Sequence, residues 1–328
     1  MEALKVMSFN IRWDNPNEAP DDKWENRKGT CAEIVKKYRP HLLGMQEPHK
    51  NQVDHMAALL PEYGWFGKGR HIAFMGINEE HNELNPVFYD KEALTLEASG
   101  QWWYSDTPEI PNSKWGCSAF PRIATWGRFL VNGTTKRVCF INTHWDHESE
   151  EARTKAAEML VAKAPEVSLG LPTVVVGDLN TGEGSPGHAA LCAAMTECSS
   201  TCGQVIDGMM GKCGTFVGFD KSINSQIDFI FACQGAEPTA FGTVPDECPN
   251  GRCCSDHRPI MATLSLPDCP YSDDELASKA AAAQGGGAAA AAAGVAADKT
   301  KEVAGAAAGK AKQAVSALGS KLGRLLKK

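Results

Sequence analysis

Thr173-Val174-Val175-Val176-Gly177-Asp178-Leu179-Asn180 sets the reading of this chain. The β-branched run Thr173–Gly177 is a strand, and Asp178 and Asn180 follow it directly. Polar groups at strand ends recur elsewhere. Asn10 follows Val6-Met7-Ser8-Phe9, Glu47 follows Leu42-Leu43-Gly44-Met45-Gln46, and His144 ends Phe140-Ile141-Asn142-Thr143. Asp228 lies within Gln226-Ile227-Asp228-Phe229-Ile230, and Asp256-His257 precede Arg258-Pro259 and a last apolar run. A lone acid at a strand end is more often a turn or cap than a catalyst. Asn, Glu, His, Asp-x-Asn, Asp and Asp-His in this order form a set. Strand termini of layered α/β folds open onto the crevice where ligands bind.

Outward from these blocks, strands are predicted at Lys5–Asn10, Leu42–Gln46, Pro86–Tyr89, Thr125–Val131, Arg137–Thr143, Thr173–Gly177, Ile227–Ala232 and Ile260–Leu266. Helical segments are predicted at Trp24–Tyr38, Lys50–Leu60, Glu148–Ala164 and Ser185–Thr196. Strands mixed with helices through one long region predict a layered α/β domain over residues 1–268. Residues 269–328 read as an Ala/Gly/Lys-rich tail with a Gly285–Gly287 linker. Val315, Leu318, Leu322, Leu325 and Leu326 recur there at helical spacing among Lys and Arg. The tail is either a solvated extension or a basic amphipathic helix making weak contact with an anionic membrane or a partner.

Charge divides the same way. The 328 residues carry a formal charge of −7, of which residues 279–328 hold nine basic and two acidic groups, leaving −14 for the rest. An acidic body does not coat nucleic acid through a broad basic face. Phosphate handling would need focused charges or a metal ion. No apolar run is long enough to span a bilayer. The amino terminus has no basic segment followed by an apolar one, so a cytoplasmic location and a monomer are expected. Twelve cysteines complicate that, nine of them between Cys192 and Cys269. No Cys-x-x-Cys or Cys/His knuckle suggests zinc. They read as buried thiols with one or two loop-stapling disulfides, which would leave secretion or an organelle open. Gly184-Ser185-Pro186-Gly187 follows Glu183 and so is no nucleophile elbow, and Gly208–Lys212 fails the P-loop spacing.

The blocks Ser8-Phe9-Asn10, Gln46-Glu47, Asn142-Thr143-His144, Gly177-Asp178-Leu179-Asn180, Ile227-Asp228 and Ser255-Asp256-His257-Arg258-Pro259 resemble the exonuclease–endonuclease–phosphatase (deoxyribonuclease I-like) superfamily. The resemblance covers residues 4–266. It implies a four-layer α/β sandwich, with two packed mixed β-sheets flanked by helices. Trp24-Glu25-Asn26-Arg27, Trp102–Pro108 and Pro121–Trp126 look like a little-characterised branch similar to the deadenylase-type members.

The resemblance also implies roles. Glu47 is the anchor for Mg²⁺, with Mn²⁺ as a substitute, and Asn10 and Asp256 help hold the metal or its waters. Asp178 activates the attacking water, and Asn180 fixes phosphate and nucleophile. His257, held by Asp228, faces a non-bridging phosphate oxygen as a cation. Glu83 is expected to orient His144, and His144 and Asn180 to contact the substrate phosphate. Arg122 is either a further phosphate contact or a structural ion pair. Metal binding by His147 is disfavoured because side chains diverge at a strand exit. Trp102, Trp103 and Trp115 are read as packing in preference to base stacking.

The implied function is a Mg²⁺-dependent phosphoesterase acting on a phosphodiester, with a nuclease on short or single-stranded nucleic acid as the leading expectation. The alternative is a phosphomonoesterase or lipid phosphodiesterase using the same site. A scaffold that has lost catalysis is disfavoured, since every one of these positions keeps its chemistry.

Overall fold

In the computed structural model, which describes residues 3–71, 82–245 and 251–283, the apolar runs pair into two six-stranded sheets. The amino-terminal half supplies β1 (Leu4–Asn10), β2 (Leu42–Gln46), β3 (Tyr63–Phe66), β4 (Val87–Asp90), β5 (Leu94–Trp103) and β6 (Ile123–Val131). The rest supplies β7 (Arg137–His144), β8 (Thr173–Asp178), β9 (Thr196–Glu197), β10 (Asp228–Cys233), β11 (Glu237–Thr243) and β12 (Ile260–Ser265). The helices are α1 (Trp24–Tyr38), α2 (Lys50–Leu59), α3 (Glu150–Ser168), α4 (Pro186–Ala194) and the single turn α5 (Cys198–Thr201).

One sheet has the order β11-β12-β1-β2-β4-β3 and the other β5-β6-β7-β8-β10-β9. Each contains one parallel pair, β1–β2 and β7–β8, joined by a helical crossover through α1 and α3. The carboxyl ends of these pairs carry Asn10, Glu47, His144 and Asp178. Three apolar layers hold the stack together. Val6, Leu42 and Val87 meet Phe140, Val174 and Ile230 between the sheets. Phe9 and Met45 pack against Val35 and Val53 of the first helices, and Ile141 and Val175 against Leu160 and Leu191 of the later ones. The result is the four-layer sandwich expected from the sequence.

A polar clamp crosses the inter-sheet layer. Asn142 donates to the carbonyls of Met45 (2.7 Å) and Pro86 (2.9 Å), and its Oδ1 accepts from Gln46 Nε2 (2.7 Å). A Cβ at Gly44 would lie 2.6 Å from Val176 and 2.8 Å from Asn142, so β2 needs a glycine where the clamp passes.

Several expectations change. The sequence-level strands omitted β3, β5, β9 and β11. A bulge between Leu96 and Ala98 breaks the alternation of β5, and Pro238 and another bulge do the same in β11. α3 runs through Pro165 to Ser168 instead of stopping at Ala164, with the proline confined to the last turn. Trp102, Trp103 and Trp115 are buried, which leaves no face for stacked bases. Cys31, Cys117, Cys139, Cys192, Cys198, Cys202, Cys213 and Cys233 are free thiols, so stapling disulfides do not involve them.

The chain divides into a unit Met1–Pro270 and a unit Tyr271–Lys328. In the second, Ser272 and Glu275 form a capping box at the start of a helix. Gly285–Gly287 and the Val315–Leu326 stripe lie outside the described residues. Among those described, no helix is long and apolar enough to cross a membrane.

Candidate active site

The strand-end residues converge at one end of the sandwich on a cleft of about 470 Å³. Asn10, at the end of β1, donates its amide to Glu47 Oε1 and to Asp178 Oδ2, both at 3.0 Å. One side chain thereby joins the two sheets. Its own oxygen accepts the Arg12 N–H (3.0 Å), so Asn10 positions both carboxylates and keeps a second lone pair on that oxygen. Glu47 sits at φ 71°, and its Oε2 accepts the Trp13 N–H (3.2 Å). Burial would raise this carboxyl, but Arg12 and His257, with the Asn10 and Trp13 donors, hold it below the usual range. Arg12 Nη1 stands 3.9 Å from Glu47 and 3.6 Å from Asp256. Burial raises Asp256, and the neighbouring Glu47 adds to this against His257 and Arg12.

Asp178 and Asp228 are directly opposed residues of the antiparallel pair β8–β10. Burial, then the charge of Asp228, lifts Asp178 to about 7 despite His257. His257 Nδ1 lies 2.8 Å from Asp228 Oδ2, and its Nε2 lies 3.7 Å from Asp178. Burial would lower this imidazole, but Asp228 and Asp178 outweigh it and hold it well above its ordinary value. His144 behaves oppositely. Burial, then Arg122 and Arg70, push it well below the ordinary value, so it is neutral. Its Nε2 accepts from Asn180 Nδ2 at 2.9 Å, and Asn180 in turn receives its backbone geometry (φ 49°) and an N–H bond to Asp178 Oδ1 from the turn after β8.

The sequence pattern of the Endonuclease/Exonuclease/phosphatase family matches residues 7–257, the interval that holds all of these groups. The chain belongs to that family. An endonuclease/exonuclease/phosphatase from Bacteroides vulgatus is 30% identical with a TM-score of 0.73, covering 81% of this chain and 99% of that one. A mannosyl-6-phosphatase from Bacteroides thetaiotaomicron is 27% identical with a TM-score of 0.72, covering 80% and 100%. The catalytic domain of human Nocturnin shares the fold at 17% identity and a TM-score of 0.61, covering 81% and 94%. Members of the exonuclease–endonuclease–phosphatase superfamily are phosphoesterases, and this chain is one of them.

One placement within this family member differs from the expectation. Glu83 does not meet His144. It forms a two-pronged ion pair with Arg70, both contacts at 2.8 Å, at the mouth of the cleft. His147 is half exposed, stacks on Phe120 and contacts Arg122 Nη2 at 3.0 Å. Arg122 is buried, and among the described residues no acid is bonded to it and its Nε and Nη1 have no partner.

Sequence reasoning missed Arg12, Arg70, Phe120 and Phe216, which also line the cleft. They sit in loops without periodicity. Only their nearness to Asn10, Glu83 and Arg122 could have signalled them. Arg27, the last residue of the Trp24-Glu25-Asn26-Arg27 block, is a strut. Its guanidinium, 1% exposed, donates to the carbonyls of Ile11, Arg12, Trp13, Asp22 and Cys254, fixing the loops that carry Arg12 and Asp256.

Proposed function

We propose that this family member is a divalent-metal-dependent phosphomonoesterase acting on a small, polar phosphate ester. The observation that carries the reading is Arg122. Two of its buried nitrogens lack partners in a cleft where Arg12 and Arg70 are already matched to acids. A guanidinium with a vacant edge suits a group presenting several free oxygens, and a monoester phosphate has three such oxygens where a diester has two. The acidic body argues against long duplex, whose affinity comes from Lys and Arg on phosphates. The similarity to the Bacteroides thetaiotaomicron mannosyl-6-phosphatase supports the same class.

The donor set fits a hard cation. Glu47 and Asp256 are two carboxylates that share Arg12 at more than hydrogen-bonding distance, and few carboxylates with retained waters suit Mg²⁺; Mn²⁺ takes similar oxygen donors. Glu47 and Asp256 would hold the ion, which when bound polarises a phosphoryl oxygen. The chain's own residues do the rest. Asp178, with a pKa of about 7, is ionised in a useful fraction and accepts a proton from water. Asn180 holds Asp178 Oδ1 through its backbone and His144 through its amide, leaving both aimed at one volume. His257, kept cationic by Asp228, places positive charge where a phosphoryl oxygen gains negative charge.

A panel with Mg²⁺ tests this: sugar phosphates, single-stranded RNA and DNA, duplex DNA, phosphoinositides and sphingomyelin. The expected result is release of inorganic phosphate from sugar phosphates faster than release of nucleotides from any nucleic acid. The reverse order would restore the nuclease reading.

A further inference from the structure

At the far edge of the sandwich the inter-sheet layer stops being apolar. On β6, Phe129 and Val131 belong to the inter-sheet core, so alternation places Gly127 and Thr125 on the same face. Their antiparallel partners on β5 are Ser99 and Gln101, with Trp103 following opposite Ile123. The bulge after Leu96 sets this phase: Leu94 and Leu96 face inward before it, Ser99 and Gln101 after it. The sheets therefore close on leucine and phenylalanine at one end of this edge and on serine, glutamine and threonine at the other.

The polar part is hollow. A groove of about 610 Å³ lies between β5–β6 and the segment that continues β3, within the ~300–1,000 Å³ of small-molecule sites. Phe66, whose ring lies over Gly127, and Trp103 form apolar walls. Gln101 and Thr125 form the floor. Thr125 is 1% exposed and its hydroxyl has no partner. The Gln101 amide nitrogen has none either, although its oxygen accepts the Lys68 N–H at 3.2 Å. Unsatisfied buried groups are costly, and a pair of them beside one groove suits a polar ligand that donates and accepts. Residues 67–70 separate the groove from the catalytic cleft. Gly67 and Lys68 line the groove, while Arg70 turns its side chain to Glu83 in the cleft and its carbonyl to Trp103 Nε1 (2.8 Å).

We infer that this groove is a second ligand site that binds a neutral polyhydroxylated ring, a hexopyranose unit. A hydroxyl and an amide N–H in the floor, with the Ser99 hydroxyl at the rim, both donate and accept, as vicinal sugar hydroxyls require. The partly exposed Phe66 ring meets a C–H face of such a ring, while Trp103 closes the groove behind it. Among the described residues no acidic side chain lines the groove, and the one charged side chain there, Lys68, is exposed. The ligand comes either as a free saccharide or as the far sugar of a phosphorylated substrate.

The test titrates methyl glucoside, methyl mannoside and adenosine into the full chain, read by saturation-transfer NMR and tryptophan fluorescence. Glu47→Gln serves as a second background, so a failed reaction and a failed groove are told apart. A glycoside should bind equally well in both backgrounds. Thr125→Val should weaken it about five- to tenfold, the worth of one hydrogen bond, while leaving the melting temperature unchanged or raised. Ser99→Phe on the exposed strand edge should abolish binding by filling the mouth. If Thr125→Val raises KM for a phosphorylated disaccharide but not for a phosphorylated monosaccharide, the sugar belongs to the substrate; unchanged KM for both identifies a free saccharide. The inference is overturned if no glycoside binds, if adenosine binds in preference, if binding survives both substitutions, or if Thr125→Val lowers the melting temperature, which would mean water already satisfies the hydroxyl.

Discussion

His257 Nε2 and Asp178 Oδ2 face each other at 3.7 Å, each with its other end already committed. His257 is held through Nδ1 by Asp228, and Asp178 through Oδ1 by the Asn180 N–H. A cation and a half-ionised acid are thus fixed side by side without being locked into a direct hydrogen bond, free to serve one transition state. Asp178→Asn and His257→Ala should each nearly abolish turnover, and the double variant should lose far less than the product of the two losses. Fully multiplicative losses in single-turnover assays would separate their roles.

The pH profile follows from Asp178. Its folded pKa of about 7 means that kcat should fall as pH drops below 7, with one acid limb. The stability effect has the opposite sense. A carboxyl raised in the folded state binds its proton more tightly there than when unfolded, so its contribution is present in acid and is lost as pH rises towards 7. Asp178→Asn should therefore stabilise the inactive enzyme at pH 8, by on the order of 4 kcal/mol, and have little effect at pH 4. Thermal melts at the two pH values check this.

Glu47→Gln should reduce turnover by several orders of magnitude with the fold intact, because the carboxylate lies at a strand end outside the apolar layers. Activity that survives both EDTA and this substitution would remove the metal from the reaction.

Arg122→Lys keeps the charge and loses the planar fork. It should reduce kcat/KM roughly 10²-fold, in line with the loss of one charged donor to a transition state. An unchanged kcat/KM with a lowered melting temperature would make Arg122 structural.

Arg27→Met should cost about 3–5 kcal/mol, since several buried carbonyls lose their donor together. Arg27→Lys should recover little, as a single ammonium cannot reach five carbonyls. Urea denaturation would measure both.

The strand-end acids, amides and histidines were legible because each follows a short apolar run, a local pattern that needs no tertiary information. α1 was legible to the residue, bounded by the left-handed Arg39 and then Pro40. Partners were not. Glu83 stands where a carboxylate for His144 was expected, but its choice of Arg70 depends on a bridge between Gly69 and Leu84 that joins loop segments. β5 was hidden by its own bulge, since one inserted residue reverses which side chains face inward. The role of Arg27 was hidden because charged residues in helices ordinarily face water, and nothing local says that this one faces five carbonyls.

The strut and the strand pairing also govern when the enzyme can first work. Ser255 donates to the Asn10 carbonyl at 2.7 Å across 245 positions, Arg27 reaches Cys254 across 227, and β1 lies beside β12. Synthesis proceeds from the amino terminus. A growing chain therefore carries Asn10, Glu47 and Asp178 long before Asp256 and His257 arrive. Until β12 zips onto β1, the Asn10 loop has no Ser255 anchor and the Asp228 carboxylate has no imidazole. The nascent polypeptide should stay silent until β12 joins β1 and closes the sheet.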